Sequence, residues 1–531
     1  MHGPSRTRTC DRTTLLVLAG ITACGAALRL AQIGAKPLWL DEAFSLWLAG
    51  QPLPGFLRQI VALDQHPPLY YLLLHLWMVG GRGASWVRML SACVSVLNIP
   101  VIFLLGRRLD QRATGLMGAF VLALSPFHVR YAQEARMYAL LSLGASLALW
   151  ALVCLLTDRG ATDTLIGSQF AHYLRTWRAT RHPPAISLVA TDLAWTGYIV
   201  FSAATVLTHN TGLLLPLAAN VYVLALIWQR KRRPATQAGL QPPSLRNWII
   251  AQAVLFLLWI PWLPAFAVQG MRVVREFWIQ PPTLLTVLHA WLSLLMVSPP
   301  AQAGWTVWIA TLFAGLVLLG TWYLRTRPDH KNLLHALWAI PFATELLVSL
   351  RRPIFSDRTL IWTTIPLCLL LATGLRQLRR RAIVVAATAV LAATNLVTVG
   401  GYLLYFEKER WDAAAAVVAH QAQPGDLILF SASWVQIPFD YYFGPLRVPA
   451  EERGIPVDLF DRQILEPKMA PSDLPRLRTL VTGHSRVWLV YSHHWYTDPE
   501  GLVPSTLQQI LALQQRRELP GIEIYLFARS P

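Results

Sequence analysis

The sequence predicts a polytopic α-helical membrane protein that ends in a small α/β domain, and three observations lead to this prediction. Hydrophobic residues make up 54% of the 531 residues and charged residues only 14%, unlike an ordinary soluble domain. Apolar runs of about 20 residues, long enough to cross the hydrocarbon core of a membrane, recur along the chain. After residue 403 strand-like and helix-like segments alternate, as they do in small α/β domains.

The basic residues indicate how the chain crosses the membrane. The formal net charge is +18, but basic residues of the apolar region lie in short clusters between apolar runs. Such clusters are typical of cytoplasmic loops, so we expect no binding of nucleic acid. The clusters are Arg107–Arg108, Arg230–Arg233, Arg325–Arg327 and Arg379–Arg381.

Eleven transmembrane helices place these clusters on the cytoplasmic side. The apolar segment 66–78 is too short to span, so we predict that it lies on the outer surface. The protein is then a multi-pass protein of the plasma (cell) membrane, with its C-terminus outside. The predicted spans are about 14–33, 86–106, 113–128, 139–157, 191–208, 210–228, 247–268, 305–324, 332–350, 359–375 and 382–402.

The chain divides into a transmembrane domain, residues 1–402, and a soluble extracytoplasmic α/β domain, residues 403–531. In the second domain the pattern predicts helices at 411–422 and 505–517, and strands at 426–432, 486–492 and 523–529. Its Trp434 and Trp495 are candidates for stacking on a sugar. We predict that this domain contributes acceptor choice and no catalytic group.

An acidic pair, Asp41 and Glu42, follows the first span on the predicted outer face. Carboxylates beside a membrane span are costly and are usually functional. The alternative is a helix N-terminus, where acidic side chains are favourable without any chemical role. Other polar groups that reach the same membrane face favour function.

Two further segments on this face carry such groups. The first contains Gln133, Glu134, Arg136 and Tyr138, beside the predicted span at 139–157. The second, with sequence RRPIFSDR, ends at Arg358 and is basic although it faces outward. Arginines on the outer face are explained if they bind an anion, because guanidinium matches phosphate oxygens in a bidentate manner. The anion is either a lipid headgroup or a phosphate-bearing substrate, and Arg272 and Arg275 break the charge trend in the same way.

Four segments, LDEAFS, HPPLYYLLLHLW, RYAQEARMY and RPIFSDR, occur in an order that resembles a known group. The chain resembles the polyprenyl-phosphate-sugar-dependent glycosyltransferases of the C-type (GT-C) fold, the group of protein O-mannosyltransferases and lipid A aminoarabinose transferases. The resemblance extends over the whole membrane region.

The resemblance implies an inverting transfer of one sugar, hexosyl or pentosyl, from a polyprenyl-phosphate donor to a protein, lipid or glycan acceptor outside the cytoplasm. It implies that Asp41 is catalytic, and we expect it to be the general base, with Glu42 as a second catalytic residue that orients Asp41 or the sugar. His66 stands where some relatives have a lysine that binds the donor phosphate, and Glu134 is the nearest acid in the second loop. We expect the remaining polar residues to contact substrate, namely Gln133, Arg136, Tyr138, Arg272, Arg275 and Arg358.

Two alternatives and a cofactor question remain at this point. Carboxylates suit a divalent metal such as Mg²⁺, but adjacent acids on a helix point in different directions, so we predict no metal. A transporter or flippase of lipid-linked sugars also needs charged groups in a membrane cavity. Transporters, however, commonly show internal repeats, and this sequence shows none. A membrane scaffold leaves the outward arginines unexplained.

Overall fold

The computed structural model describes residues 11–157, 186–232, 239–275, 279–295, 306–459 and 467–529, without the side chains of 186–191 and 272–275. Its α-helices, α1 to α22 in chain order, are Arg12–Leu30, Leu40–Ala49, Leu53–Leu63, Leu69–Trp77, Ala84–Leu109, Arg112–Leu124, Pro126–Ala132, Tyr138–Thr157, Ile186–Thr208, Leu214–Arg232, Leu245–Trp259, Leu263–Arg275, Leu284–Leu294, Thr306–Tyr323, Pro328–Ser349, Thr364–Gln377, Arg381–Tyr405, Trp411–Gln421, Gln436–Phe443, Leu474–Thr482, His494–Thr497 and Leu502–Ile510. Its strands β1 to β5 are Leu427–Ser431, Glu451–Gly454, Arg486–Tyr491, Ala512–Leu519 and Ile522–Ala528.

The predicted fold class is confirmed: the protein is mostly helical and carries one small sheet near its C-terminus. Within the described ranges, nine helices are long and apolar enough to cross a membrane, against eleven predicted spans. The predicted span at 113–128 falls on α6, which has 13 residues and is followed by the separate short helix α7. The predicted span at 191–208 falls on α9, whose first side chains lie outside the described part. The segment 66–78 contains the short helix α4.

The chain forms two compact units. Unit 1 consists of Met1–Ala31, Met89–Pro264 and Pro281–Leu404. Unit 2 consists of Gln32–Arg88, Ala265–Gln280 and Tyr405–Pro531. Unit 2 therefore combines the chain around the acidic pair with the C-terminal α/β segment. The predicted domain boundary after residue 402 stays a prediction.

In unit 1, Arg29 joins three helices although it lies in the apolar helix α1. Its guanidinium is fully buried and donates to Ser95 Oγ in α5 at 2.8 Å. It also donates to the carbonyl oxygens of Gly25, Ala123 and Leu122, at 2.9, 2.9 and 3.1 Å. The last two are carbonyls in the last turn of α6, and that of Leu122 also accepts from the N–H of Ser125. Arg29 thus supplies hydrogen bonds that the apolar surroundings do not offer.

Helices α14 and α16 of unit 1 approach each other closely through two glycines. A Cβ atom at Gly320 would overlap the carbonyl oxygen of Leu370, and one at Gly374 would overlap the carbonyl oxygen of Leu316. Small residues at such crossings allow the backbones of membrane helices to pack directly. The two glycines therefore set the distance between α14 and α16.

In unit 2 the five strands form one mixed sheet in the order β2-β1-β3-β5-β4. Strand β1 pairs in parallel with β2 and β3, while β5 pairs antiparallel with β3 and β4. Every residue of β1 is buried, as expected for a central strand with both faces covered. Ile428 and Phe430 belong to one core, and Leu427 and Leu429 belong to the core on the opposite face.

The predicted elements of the C-terminal segment are mostly confirmed. The strands expected at 426–432, 486–492 and 523–529 are β1, β3 and β5, and the helix expected at 411–422 is α18. The short polar strand β2 carries no alternating pattern and was not predicted.

The helix predicted at 505–517 is wrong in its second half. Helix α22 ends at Ile510, and Ala512–Leu519 forms the edge strand β4. Leu, Gln and Arg favour helices, which explains the prediction. A turn at Pro520 and Gly521 instead brings β4 into antiparallel register with β5, and this pairing outweighs the local preference.

We predict that Gly320→Ala lowers the midpoint of thermal unfolding, because the new methyl group forces α14 away from α16. Overpacking of this kind costs about 1–3 kcal/mol. The control is Gly315→Ala in the same helix, where an added Cβ meets nothing within 4 Å. Equal midpoints for the two variants in the purified protein would contradict the close approach.

Candidate active site

The acidic pair lies in the first turn of the ten-residue helix α2. The apolar side of this helix belongs to the core of the α/β segment in unit 2. Ala43 is buried in that core, and Leu40, Phe44 and Trp47 pack against it. Packing of these side chains fixes the rotation of α2 about its axis and with it the directions of both acidic side chains.

Glu42 points into the interior, where two cations bind it. Arg88 donates from Nε to Oε1 at 2.7 Å and from Nη2 to Oε2 at 2.6 Å, which is a bidentate pair. Lys408 Nζ donates to Oε2 at 2.8 Å. Glu42 and Arg88 are 0% and 1% exposed and Lys408 is 5% exposed. The three side chains form a buried ion cluster in unit 2.

Arg88 uses its remaining donors on the segment that precedes α2. Its Nη1 donates to the carbonyl oxygens of Ile33 and Lys36 at 3.0 and 2.8 Å, and Nη2 donates to that of Pro37 at 2.8 Å. One guanidinium therefore holds both the turn before α2 and the acid in its first turn.

The cluster keeps Glu42 ionised. Burial alone would raise the pKa of the Glu42 carboxyl, but Lys408 and Arg88 together lower it to about 2. A carboxylate held in this way does not take up a proton at neutral pH. Glu42 is therefore placed to orient α2, and its contribution to catalysis stays a prediction.

Asp41, the other acid of the pair, keeps part of its surface exposed. Its carbonyl oxygen accepts a hydrogen bond from Ser45 Oγ at 2.8 Å. One residue earlier, the N–H of Leu40 donates to Glu409 Oε2 at 3.1 Å, which gives the first turn of α2 a partner for one of its free N–H groups. The hydrogen bonds of Ser45 and Glu409 thus hold the first turn of the helix that carries Asp41.

His66 lies in unit 2 just before α4. Its Nδ1 is 2.9 Å from Asp64 Oδ1, and its side chain is 18% exposed. The neighbouring carboxylate orients the imidazole ring. Binding of the donor phosphate by His66 stays a prediction.

In unit 1, Gln133 caps the end of α1. Its Nε2 donates to the carbonyl oxygens of Leu28, Arg29 and Ala31, at 3.4, 3.1 and 2.7 Å. These carbonyls have no partner within the helix. The structure thus gives Gln133 a structural role beside the predicted contact with substrate.

Glu134 and Arg136 occupy the turn between α7 and α8, and both side chains are buried. Arg130 Nε is 3.7 Å from Glu134 Oε1. The carbonyl oxygen of Arg136 accepts a hydrogen bond from Ser91 Oγ at 3.2 Å, which fixes the turn to α5.

Tyr138 and Arg358, predicted separately, meet in unit 1. The guanidinium carbon of Arg358 lies 5.6 Å from the centre of the Tyr138 ring, within the range of a cation–π contact. The rings of Tyr131 and His209 pack beside Tyr138, edge-on and tilted respectively, with centroids at 5.0 and 6.2 Å. The three rings form an aromatic wall, and its Tyr138 ring lies against the Arg358 head group.

Glu345 fixes the segment that ends at Arg358. It lies buried in α15 and accepts hydrogen bonds from the N–H of Ser356, at 3.1 Å, and from Thr359 Oγ1. The loop between α15 and α16 is therefore attached to the end of a membrane helix.

Sequence reasoning missed Glu345, Arg88 and Lys408. Glu345 and Arg88 each stand within an apolar stretch of a membrane-length helix, and an ionisable residue there is a functional candidate by default. That signal was available for both. Lys408 offered none, because it lies in a polar stretch 366 residues from Glu42.

Arg272 and Arg275 belong to α12, but their side chains lie outside the described part of the structure. Among the residues that are described, no group of three or more His, Cys, Asp or Glu side chains is arranged to hold a metal ion.

We predict that Glu42→Gln destabilises unit 2 strongly, because it leaves Arg88 and Lys408 buried without a countercharge. Removing one partner of a buried ion pair costs about 3–5 kcal/mol. The midpoint of thermal unfolding and the protease resistance of unit 2 measure the effect. The control, Asp412→Asn, breaks an ion pair with Arg410 whose side chains are 37% and 43% exposed, and about 1 kcal/mol or less is expected there. Equal losses in the two variants would contradict the importance of the buried cluster.

Comparisons with known proteins agree with the described fold. The family described as dolichyl-phosphate-mannose-protein mannosyltransferase matches residues 65–171, about a fifth of the chain. No protein of curated function matches the sequence.

Solved structures match nearly the whole chain. ArnT from Cupriavidus metallidurans, in the apo state and bound to undecaprenyl phosphate, is 14% identical with a TM-score of 0.60, over 97% of this chain and 98% of ArnT. The archaeal oligosaccharyltransferase AglB from Archaeoglobus fulgidus, in complex with an inhibitory peptide and a dolichol-phosphate, is 12% identical with a TM-score of 0.57, over 98% of this chain and 74% of AglB. The chain therefore has the GT-C fold that these membrane glycosyltransferases share.

Proposed function

We propose that the protein is a membrane glycosyltransferase that moves one sugar from a polyprenyl phosphate to an acceptor outside the cytoplasm. The fold it shares with ArnT and AglB supports this, since ArnT is seen with undecaprenyl phosphate and AglB with a dolichol-phosphate. The match of residues 65–171 to the mannosyltransferase family supports it independently of the structure.

The unequal surroundings of Asp41 and Glu42 carry the mechanistic part of the proposal. Glu42 is buried and neutralised by two cations, whereas Asp41 is partly exposed. A general base has to reach the acceptor and exchange a proton, which a buried carboxylate between two cations does not do. Asp41 is the base, and Glu42 positions it.

The transfer is a single displacement. The acceptor oxygen or nitrogen attacks the anomeric carbon, and Asp41 removes the acceptor proton as the new bond forms. The bond between the anomeric carbon and the phosphate oxygen breaks, and its electron pair leaves with the polyprenyl phosphate. Because one carboxylate acts and no covalent enzyme intermediate forms, the anomeric configuration inverts.

The departing phosphate needs cations, because negative charge develops on it in the transition state. We assign this role to Arg358, which an aromatic wall and the Glu345-bound loop hold in place, and to the buried Arg136. His66, Arg272 and Arg275 contribute further contacts to the donor, and Glu134, Gln133 and Tyr138 contact the sugar. A lipid headgroup is the competing anion for these arginines.

We predict that Asp41→Asn lowers donor turnover by about 10²–10⁴-fold, the usual loss on removal of a general base. Release of polyprenyl phosphate from a radiolabelled polyprenyl-phosphate sugar measures turnover, and binding of the donor is measured separately. Glu407→Gln, which neutralises an exposed carboxylate of unit 2, is the control and leaves turnover unchanged. Near-normal turnover by Asp41→Asn would remove Asp41 from the mechanism.

The proposed membrane orientation is tested by cysteine labelling, using exposed positions. In a background without the five native cysteines, Arg58→Cys, Arg352→Cys and Arg478→Cys react with an impermeant maleimide on intact cells. Arg232→Cys and Arg380→Cys, in the basic clusters, react only after permeabilisation. Labelling of positions 58 and 352 from opposite sides would contradict the proposed outer active site.

A further inference from the structure

Unit 2 contains a cavity of about 350 Å³ that the mechanism above does not use. It lies where β3 and β4 end and β5 begins, at the carboxyl edge of the parallel strands β1 and β3. Open sheets of this kind commonly bind ligands at that edge. The carboxylate, imidazole and indole side chains in its lining are those of Glu409, His493, His494, Trp495, Glu518 and Glu523.

The loop after β3 is held in a defined conformation at this cavity. His493 has a φ of 54°, a left-handed conformation that is unfavourable for residues other than glycine. Ser492 Oγ donates to the carbonyl oxygen of Gly521 at 2.7 Å and so ties the loop to the turn before β5. The His494 ring stacks on Tyr491, with centroids 4.7 Å apart and planes 7° apart. Strained, over-determined loops of this kind tend to occur at binding sites.

The cavity wall combines hydrogen-bond acceptors with one exposed aromatic face. The Trp495 side chain is 56% exposed, although large aromatic residues usually bury most of their surface. Three carboxylates line the wall, and two imidazoles lie near them, with His493 Nε2 at 3.4 Å from Glu409 Oε1 and His494 Nε2 at 4.0 Å from Glu523 Oε1. An indole face beside acceptors suits a ring with an apolar face and hydroxyl groups at its edge.

The wall carries three carboxylates, and one arginine pairs with two of them. Arg516 pairs with Glu518 and Glu523, at 2.7 and 2.8 Å, and so offsets one of the three carboxylate charges. Burial alone would raise the pKa of Glu523, but hydrogen bonds from Tyr525 and Arg516 lower it, so this carboxylate stays ionised. A wall with this charge repels phosphate and other anions. It therefore suits the acceptor and not the polyprenyl-phosphate donor.

Glu409 connects the cavity with the helix that carries Asp41. Its Oε1 faces His493, while its Oε2 accepts hydrogen bonds from the N–H of Leu40, at 3.1 Å, and from Trp411 Nε1, at 2.7 Å. One carboxylate thus belongs both to the cavity wall and to the start of α2. A ligand in the cavity contacts the residue that holds the first turn of this helix.

We propose that this cavity is a sugar-binding subsite, which takes uncharged or cationic sugar units of a glycan acceptor and excludes anionic ones. The identification of the bound glycan as the acceptor rests on the proposed function, whereas binding of sugar to the cavity does not depend on transfer. The Trp495 indole stacks on the sugar ring, and the carboxylates accept hydrogen bonds from its hydroxyl or amino groups.

Calorimetric titration of the full-length protein, in lipid nanodiscs free of sugar detergents, tests the subsite. The probes are neutral tri-N-acetylchitotriose, its fully deacetylated cationic form, anionic trigalacturonate, and trilysine. We expect the two uncharged or cationic saccharides to bind and trigalacturonate not to bind. Trp495→Ala weakens saccharide binding by about tenfold or more, as expected on removal of a central aromatic contact. Glu518→Gln reduces the preference for the cationic saccharide.

The control variant is Leu446→Ala, an exposed apolar residue of unit 2 outside the cavity lining, which leaves binding unchanged. Absence of saccharide binding, equal binding of trigalacturonate, or unaltered binding by Trp495→Ala would overturn the proposal. Binding of trilysine without any saccharide would show a peptide site and overturn it as well. If the protein binds saccharide but consumes no polyprenyl-phosphate sugar, the proposed function fails while the subsite stands. If it consumes a polyprenyl-phosphate sugar but binds no saccharide, the subsite fails while the proposed function stands.

Discussion

The buried ion cluster of Glu42, Arg88 and Lys408 is the interaction on which the arrangement of unit 2 depends. Removing three charged groups from water is costly, and only complete hydrogen bonding offsets that cost. Both Glu42 oxygens accept hydrogen bonds from cations, and Arg88 also donates to three carbonyl oxygens of the turn before α2. Residues 46 and 366 positions away from Glu42 are thereby fixed to one helix start. Such a cluster tolerates little displacement, because any lost contact leaves an uncompensated buried charge.

This cluster gives two adjacent acids different surroundings. Neighbouring positions on a helix point in different directions, so only one of the pair turns into the interior. The apolar contacts of Ala43 and Phe44 decide which one it is. In unit 1, Gln133 and Glu345 bind backbone groups and so fix the segments that carry the candidate residues Arg136 and Arg358. In the proposed mechanism, rigid support of this kind reduces the reorganisation required in the transition state.

Much of the fold and part of the candidate site follow from the sequence, and the reasons for success and failure are physical. Apolar runs and the acidic pair are local patterns, so the helices and the fold class could be predicted and Asp41 and Glu42 could be named as candidates. The pairing of Lys408 with Glu42 depends on chain folding over hundreds of residues, which no local pattern records. The edge strand Ala512–Leu519 was mistaken for a helix because its partner β5, and not its own composition, decides its conformation. The cavity beside His493 likewise needs the ends of three strands at one sheet edge.

A glycosyltransferase cleaves a polyprenyl-phosphate sugar and transfers the sugar, whereas a transporter moves the donor intact. The two are distinguished by incubating the purified protein, in sealed vesicles, with a panel of radiolabelled polyprenyl-phosphate sugars and an extract of envelope acceptors. We expect that one donor is consumed, that free polyprenyl phosphate and sugar-labelled acceptor appear in equal amounts, and that the anomeric configuration inverts. Intact donor that crosses the vesicle bilayer without any release of polyprenyl phosphate would contradict the proposed function and would show a transporter.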